Sequence, residues 1–147
     1  MNADGLKHFH LALPYLRPPE ALTGNARGQH WGAKSSATRQ LRSDVMFQAR
    51  QAKIPQGSHL TVRLTWAPGD RRARDEDNLW LMLKVCCDGL ARGPRKTKLW
   101  IGLDLVPDDT PEFMTKLRPV ILGPDRTPMR GLWLDIWVAP IKAAVDL

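Results

Sequence analysis

From Gly69 to Leu90 the chain reads GDRRARDEDNLWLMLKVCCDGL, with three arginines (Arg71, Arg72, Arg74) running directly into three acids (Asp75, Glu76, Asp77). Guanidinium groups bind phosphate, and carboxylate oxygens bind hard divalent cations such as Mg²⁺. A site that grips a polyanion and holds a cation beside it needs both signs at close quarters. Asp75 and Asp77 stand two residues apart, so an extended segment directs both side chains to one side and Glu76 to the other. Asp77 or Asn78 also suits the N-cap of the apolar run that follows. An isolated D-x-D is more often only such a cap; the arginine cluster sets this one apart.

The flanking elements follow from periodicity. His59–Trp66 alternates Leu60, Val62, Leu64 and Trp66 with Thr61, Arg63 and Thr65, a strand that delivers the chain through Ala67-Pro68-Gly69 to the charged stretch. After it, Asn78 to about Leu90 reads as a helix burying Leu79, Met82 or Leu83, Cys86 and Leu90. Asp77, Leu81, Lys84 and Asp88 share another face. The motif therefore lies between a strand end and a helix start, where functional loops commonly sit. Upstream, Lys7–Pro14 alternates as a strand, with Phe9, Leu11 and Leu13 opposite His8 and His10. The histidine pair reads as polar surface before it reads as a metal site, since no matching ligands follow. Ser35–Lys53 is an amphipathic helix with Leu41, Val45, Met46, Ala49 and Ala52 on one face, stopped by Pro55. Met114–Leu122 and Gly131–Ala139 read as two further strands. The pattern predicts a single α/β (α+β) domain over residues 1–147, a mixed and mainly antiparallel sheet packed with helices.

Composition narrows the partner. The net charge is +7 and the isoelectric point near 9.9, which favours nucleic acid or another anionic partner. The basic excess surrounds the D-x-D stretch: residues 1–50 carry 7 basic against 3 acidic side chains and residues 51–100 carry 10 against 5, whereas 101–147 carry 5 against 7. Two loops add to it: Tyr15–Gly32 with Arg17, Arg27, His30 and Trp31, and Ala91–Lys98 with Arg92, Arg95, Lys96 and Lys98. Basic and aromatic residues on loops suit phosphate contact and base stacking. No apolar run approaches the ~20 residues that span a bilayer, and MNADGLKHFH lacks the apolar core of a signal peptide. Cytoplasmic residence and no membrane partner are expected. Cys86 and Cys87 are adjacent and poorly placed to bridge each other in a helix, so neither a disulfide nor a zinc site is expected.

In the order strand, loop, helix, strand, R-R-x-R-D-x-D-N-L, helix ending D-G-L, then a D-D turn and two strands, the chain resembles the RusA-type Holliday junction resolvases, crossover junction endodeoxyribonucleases common in phages and prophages. The matching residues are Asp70-Arg71-Arg72, Arg74-Asp75, Asp77-Asn78-Leu79, Asp88-Gly89-Leu90 and Asp108-Asp109, with Leu13-Pro14 and Pro18-Pro19 agreeing. The likeness is specific only in the middle third of the chain. It implies a homodimeric enzyme, with host-cell cytoplasm as its location if phage-encoded, that resolves four-way DNA junctions by paired phosphodiester hydrolysis. By the resemblance Asp75, Asp77 and Asp109 would hold Mg²⁺ (Mn²⁺ being the alternative), with Asp108 as an outer ligand and no small-molecule cofactor. Arg71, Arg72, Arg74, Arg27, Arg95, Lys96 and Lys98 would meet DNA. The family's catalytic lysine stands four residues after the second aspartate of D-x-D; here that position is Leu81, and Lys84 comes seven residues on, so its role stays open. Asp104 is an alternative third carboxylate. The rival to an enzyme is a junction-binding protein on the same scaffold that has lost cleavage. A D-x-D glycosyltransferase fits the dipeptide but not the length, and no phosphate-cradling glycine loop accompanies it.

Overall fold

Two long strands form the sheet centre because their alternation commits one face to the core. In the computed structural model, which describes residues 5–23, 31–93 and 102–141, these are β2 (His59–Ala67) and β5 (Gly131–Ala139), paired antiparallel along their whole length. β1 (Lys7–Leu13) adds antiparallel to the other side of β5. Two short strands, β3 (Met114–Lys116) and β4 (Val120–Ile121), pair parallel with β2, giving the order β1-β5-β2-β3 with β4 on the same edge as β3. Two helices, α1 (Trp31–Gln51) and α2 (Trp80–Leu90), pack on each other and share one core with the sheet. The chain is thus an α+β domain with a mixed, mostly antiparallel sheet. Among the described residues no helix is long and apolar enough to cross a membrane.

Register explains the core. Leu60, Val62 and Leu64 face Val138, Ile136 and Leu134 across the β2–β5 ladder, and Leu11 and Leu13 face Leu134 and Leu132 across β1–β5. All these residues are buried, beneath Leu41, Val45 and Ala49 of α1 and Met82, Leu83, Cys86 and Leu90 of α2. Burying each such side chain contributes about 1.5–3 kcal/mol. Cys86 and Cys87 are free and buried; burial above all raises both thiols, Cys87 to about 12, so they act as small apolar fillers.

Met114–Leu122 does not form the single strand that its pattern suggests. Pro119 has no N–H to donate, and the pairing advances by one extra residue between Val62↔Lys116 and Thr65↔Val120. The strand breaks into two pieces whose ends are tied by Leu117 N–H to Val62 O and Leu122 N–H to Trp66 O, both 2.9 Å.

The sheet's other face is polar at its centre. Asp135 is buried there, and one of its oxygens meets His8 Nε2 at 2.8 Å and His10 Nδ1 at 3.2 Å. Arg63 Nη2 donates to its second oxygen at 3.4 Å and lies over Trp137, which stacks with His8. Burial alone would raise the Asp135 pKa; the two histidines and Arg63 outweigh it and hold the carboxyl below its usual range. The histidine pair is therefore engaged by a carboxylate.

β2, α2 and β3 form a strand–helix–parallel strand unit, in which the helix returns along the sheet. The start of α2 consequently lies near the end of β2, and the end of α2 near the start of β3. The return passage packs tightly: Gly102 N–H donates to Arg92 O at 2.8 Å and Leu103 N–H to Gly89 O at 2.9 Å. A Cβ on Gly102 would stand 1.8 Å from Ala91 O and 2.8 Å from Asp88 O, both backbone atoms that cannot step aside. Gly102→Ala is expected to cost about 2–4 kcal/mol and to lower Tm by roughly 5–10 °C in a thermal melt. An unchanged Tm would mean that the 102–106 passage does not seat against α2 in this way.

Candidate functional site

The charged loop is built on β2. After Pro68 the chain turns at Gly69 (φ +84°), and Asp70 closes the turn by accepting Arg72 N–H at 2.9 Å. Asp70 also takes a two-pronged hydrogen bond from Arg74, whose second prong is 2.9 Å. That bond, more than any other influence, holds the Asp70 carboxyl well below the usual carboxylate range. The Arg74 guanidinium lies 4.8 Å from the centre of the Trp66 ring. Arg74 is thus a structural member of the loop, while Arg71 and Arg72 are exposed and their side chains make no ion pair among the described residues.

The trio of arginines should therefore divide when tested. If the protein binds DNA through this loop, Arg71→Ala and Arg72→Ala are each expected to lower the salt slope of log Kd by about 1. Arg74→Ala should leave that slope nearly unchanged but lower Tm, through loss of the Asp70 pair and the Trp66 contact. Equal slope changes for all three would overturn the division.

Asp75 and Asp77 do not alternate along an extended segment. Asp75 is extended, but Glu76–Leu79 curl into a 3-10 turn that leads straight into α2. Asp75 Oδ1 caps that turn by accepting Asp77 N–H at 3.0 Å, which makes Asp75, rather than Asp77 or Asn78, the capping residue. Asp77 is exposed, and Glu76 pairs with Arg118.

The other acids gather at the far end of α2. Asp108 is exposed and its Oδ1 accepts Asp109 N–H at 2.8 Å, turning the chain so that Asp109 points inward. Asp109 Oδ2 accepts from Lys116 Nζ at 2.8 Å and lies 3.8 Å from Lys84 Nζ. Lys84 Nζ is also 3.7 Å from Asp88 Oδ1. Asp88 and Asp109 flank the Lys84 ammonium, and their carboxyls shift in opposite directions. Burial first, then the neighbouring Asp109, raises Asp88. Burial would raise Asp109 as well, but the Lys116 hydrogen bond and the charges of Lys116 and Lys84 prevail and lower it. The arrangement is a pair of carboxyl groups, Asp88 and Asp109, with one ammonium half-buried and one exposed beside it.

These two acidic groups are separate. Asp77 and Asp88 are eleven residues apart on one continuous helical path, an axial rise of about 16 Å or more. Carboxylates that share one Mg²⁺ bring their oxygens within about 4 Å of each other. Asp109 stands with Asp88, so the expected set of Asp75, Asp77 and Asp109 is not gathered around one point. Among the described residues no group of three or more His, Cys, Asp or Glu side chains could hold a metal ion. The Asp88–Asp109 pair alone fits by donor chemistry, because Mg²⁺ is commonly held by one or two carboxylates with water and substrate phosphate completing its shell.

Lys84 falls with Asp88 and Asp109, not with the D-x-D. Asp104 adopts a left-handed backbone (φ +58°), its carbonyl accepts from Gln56 Nε2, and no hydrogen bond or ion pair joins it to the cluster. Arg27, Arg95, Lys96 and Lys98 lie outside the described residues. Two cluster members were absent from the expected site set. Asp88 carried a clue in its position four residues after Lys84 on one helix face. Lys116 carried one in its place on the face of its strand shared with Met114, where a charge needs a partner.

No protein-family model matches the chain, and no curated protein matches it at significant similarity.

Proposed function

We propose that the protein is a divalent-metal-dependent endodeoxyribonuclease acting on branched DNA, with four-way junctions as its substrate and a homodimer as its working form. One observation carries the reading: a half-buried Asp88–Asp109 carboxyl pair flanked by Lys84 and Lys116 in a strongly basic chain. The RusA-like order of motifs supplies the substrate class, and cytoplasmic DNA is where it would act. Twofold symmetry suits paired cuts in a four-way junction.

Asp88 and Asp109 would hold the ion, which when bound supplies Lewis-acid activation of water and of the scissile phosphate. The chain's own residues do the rest. Lys116 fixes the orientation of Asp109 and favours its ionised form. Lys84 is 61% exposed and offers its ammonium to an approaching phosphate while remaining close to both acids. Arg71 and Arg72, exposed in the loop before α2, would add phosphate contacts.

A second reading has its own support. Without a metal the cluster is already satisfied, since Lys116 and Lys84 balance the charges of Asp109 and Asp88. A non-catalytic junction binder would need nothing more. Cleavage of a labelled four-way junction in Mg²⁺ or Mn²⁺, beside a linear duplex and a chelator control, separates the two. Paired nicks in the junction, lost in Asp88→Asn and Asp109→Asn with binding kept, support the enzyme. Tight, salt-sensitive junction binding with no cutting in either metal leaves the binder.

A further inference from the structure

A cleft of about 750 Å³ opens beside Asp75, bounded by Arg17, Pro18 and Pro19 on one segment and by Trp66, Arg74 and Asn78 on the other. Its size is in the range that holds a small-molecule-sized group. Both segments are tied in place. Trp66 Nε1 donates to Leu16 O at 3.0 Å, and Tyr15 O–H donates to Asp44 on α1. Arg74, clamped by Asp70, lies over Trp66 and gives the cleft a planar cationic wall. The prolines give it apolar surface. The Asn78 carboxamide is half-buried at the cleft, and among the described residues it makes no hydrogen bond.

We propose that this cleft receives one unpaired nucleobase of the DNA strand at the branch point; the inference rests on the branched-DNA reading above. The Arg74 guanidinium, lying over the Trp66 indole, offers a planar face on which any base can stack. A carboxamide offers a donor and an acceptor side by side, the pairing that a base edge requires. Arg17 at the rim and the exposed Arg71 and Arg72 nearby suit the flanking phosphates. A base within intact duplex cannot enter, whereas one at a branch leaves its stack at much lower cost. The cleft thereby gives the protein a means of favouring branches over linear DNA and of preferring certain bases beside the cut.

The test uses the full chain in a chelator, so that binding is read without cutting, on junctions each carrying one abasic residue at a branch-point position. One position is expected to lose about 10-fold in affinity, the scale of one base stacked on an aromatic wall. In Asn78→Ala and Arg17→Ala, with folding checked by circular dichroism, that loss should shrink to under about 2-fold. An abasic penalty at no position, or a penalty unchanged in both variants, would overturn the cleft while intact junction binding left the functional reading standing. Competition by a free mononucleotide without any abasic penalty would assign the cleft to nucleotide binding and also overturn the proposal. Absence of salt-sensitive junction binding would overturn both readings.

Discussion

Asp109→Asn is expected to lower single-turnover junction cleavage by about 10³-fold or more, the loss seen when a group acting directly on the developing charge is removed. Asp88→Asn should lower it comparably, because the same point would keep only one ionisable oxygen donor. The two variants should part company in stability. Asp109→Asn leaves Lys116, only 26% exposed, without its carboxylate partner and should cost about 1–3 kcal/mol. Asn at position 88 no longer carries an ionisation that burial opposes. That variant should be as stable as the wild type or more so.

The pH dependence gives the sign. The folded Asp88 pKa is raised, so its contribution is complete below the unfolded value of about 3.9 and is lost as pH rises through the folded value. The folded Asp109 pKa is lowered, so its contribution is present above about 3.9 and is lost as pH falls through the folded value. In urea denaturation with chelator, the advantage of Asp88→Asn over wild type should therefore grow from pH 4 upward. An advantage that does not vary with pH would mean that Asp88 keeps no shifted proton.

Local patterns in the sequence carried most of the fold. Alternation at Leu60, Val62 and Leu64 and at Leu134, Ile136 and Val138 sets which face meets the helices, and the structure pairs those residues. The helix ending at Leu90 was equally legible from its apolar spacing. Pairing partners were not. Whether Met114–Lys116 runs parallel or antiparallel to β2 depends on the crossover through α2, and no residue within the strand records it. The candidate carboxylates were legible by type, but the structure does not bring Asp75, Asp77 and Asp109 together. A D-x-D in sequence implies neighbouring carboxylates only in an extended chain, and here Asp75 spends its side chain capping a 3-10 turn. Asp109 joined Asp88 because the tight passage at Gly102 brings it to the end of α2, a long-range contact that spacing alone does not encode.

Lys116→Met is expected to lower cleavage by about 100-fold, more than Lys84→Met, because only Lys116 is within direct hydrogen-bonding distance of Asp109, at 2.8 Å against 3.8 Å. The diagnostic is the shape of the pH–rate profile. Lys116 supplies both the hydrogen bond and the larger charge that hold Asp109 down against burial. Without them the Asp109 pKa rises, so the acid limb of the profile should move to higher pH and the deficit should grow as pH falls. Lys116→Arg keeps the charge and should restore most of the shift in the acid limb, though not the full rate, since its planar fork differs from an ammonium. Lys84→Met should leave the acid limb closer to wild type and weaken junction binding instead, as expected of an exposed phosphate contact. A Lys116→Met deficit equal at every pH would show that the lysine acts on the phosphate directly, and the roles given to the two ammonium groups would have to be exchanged.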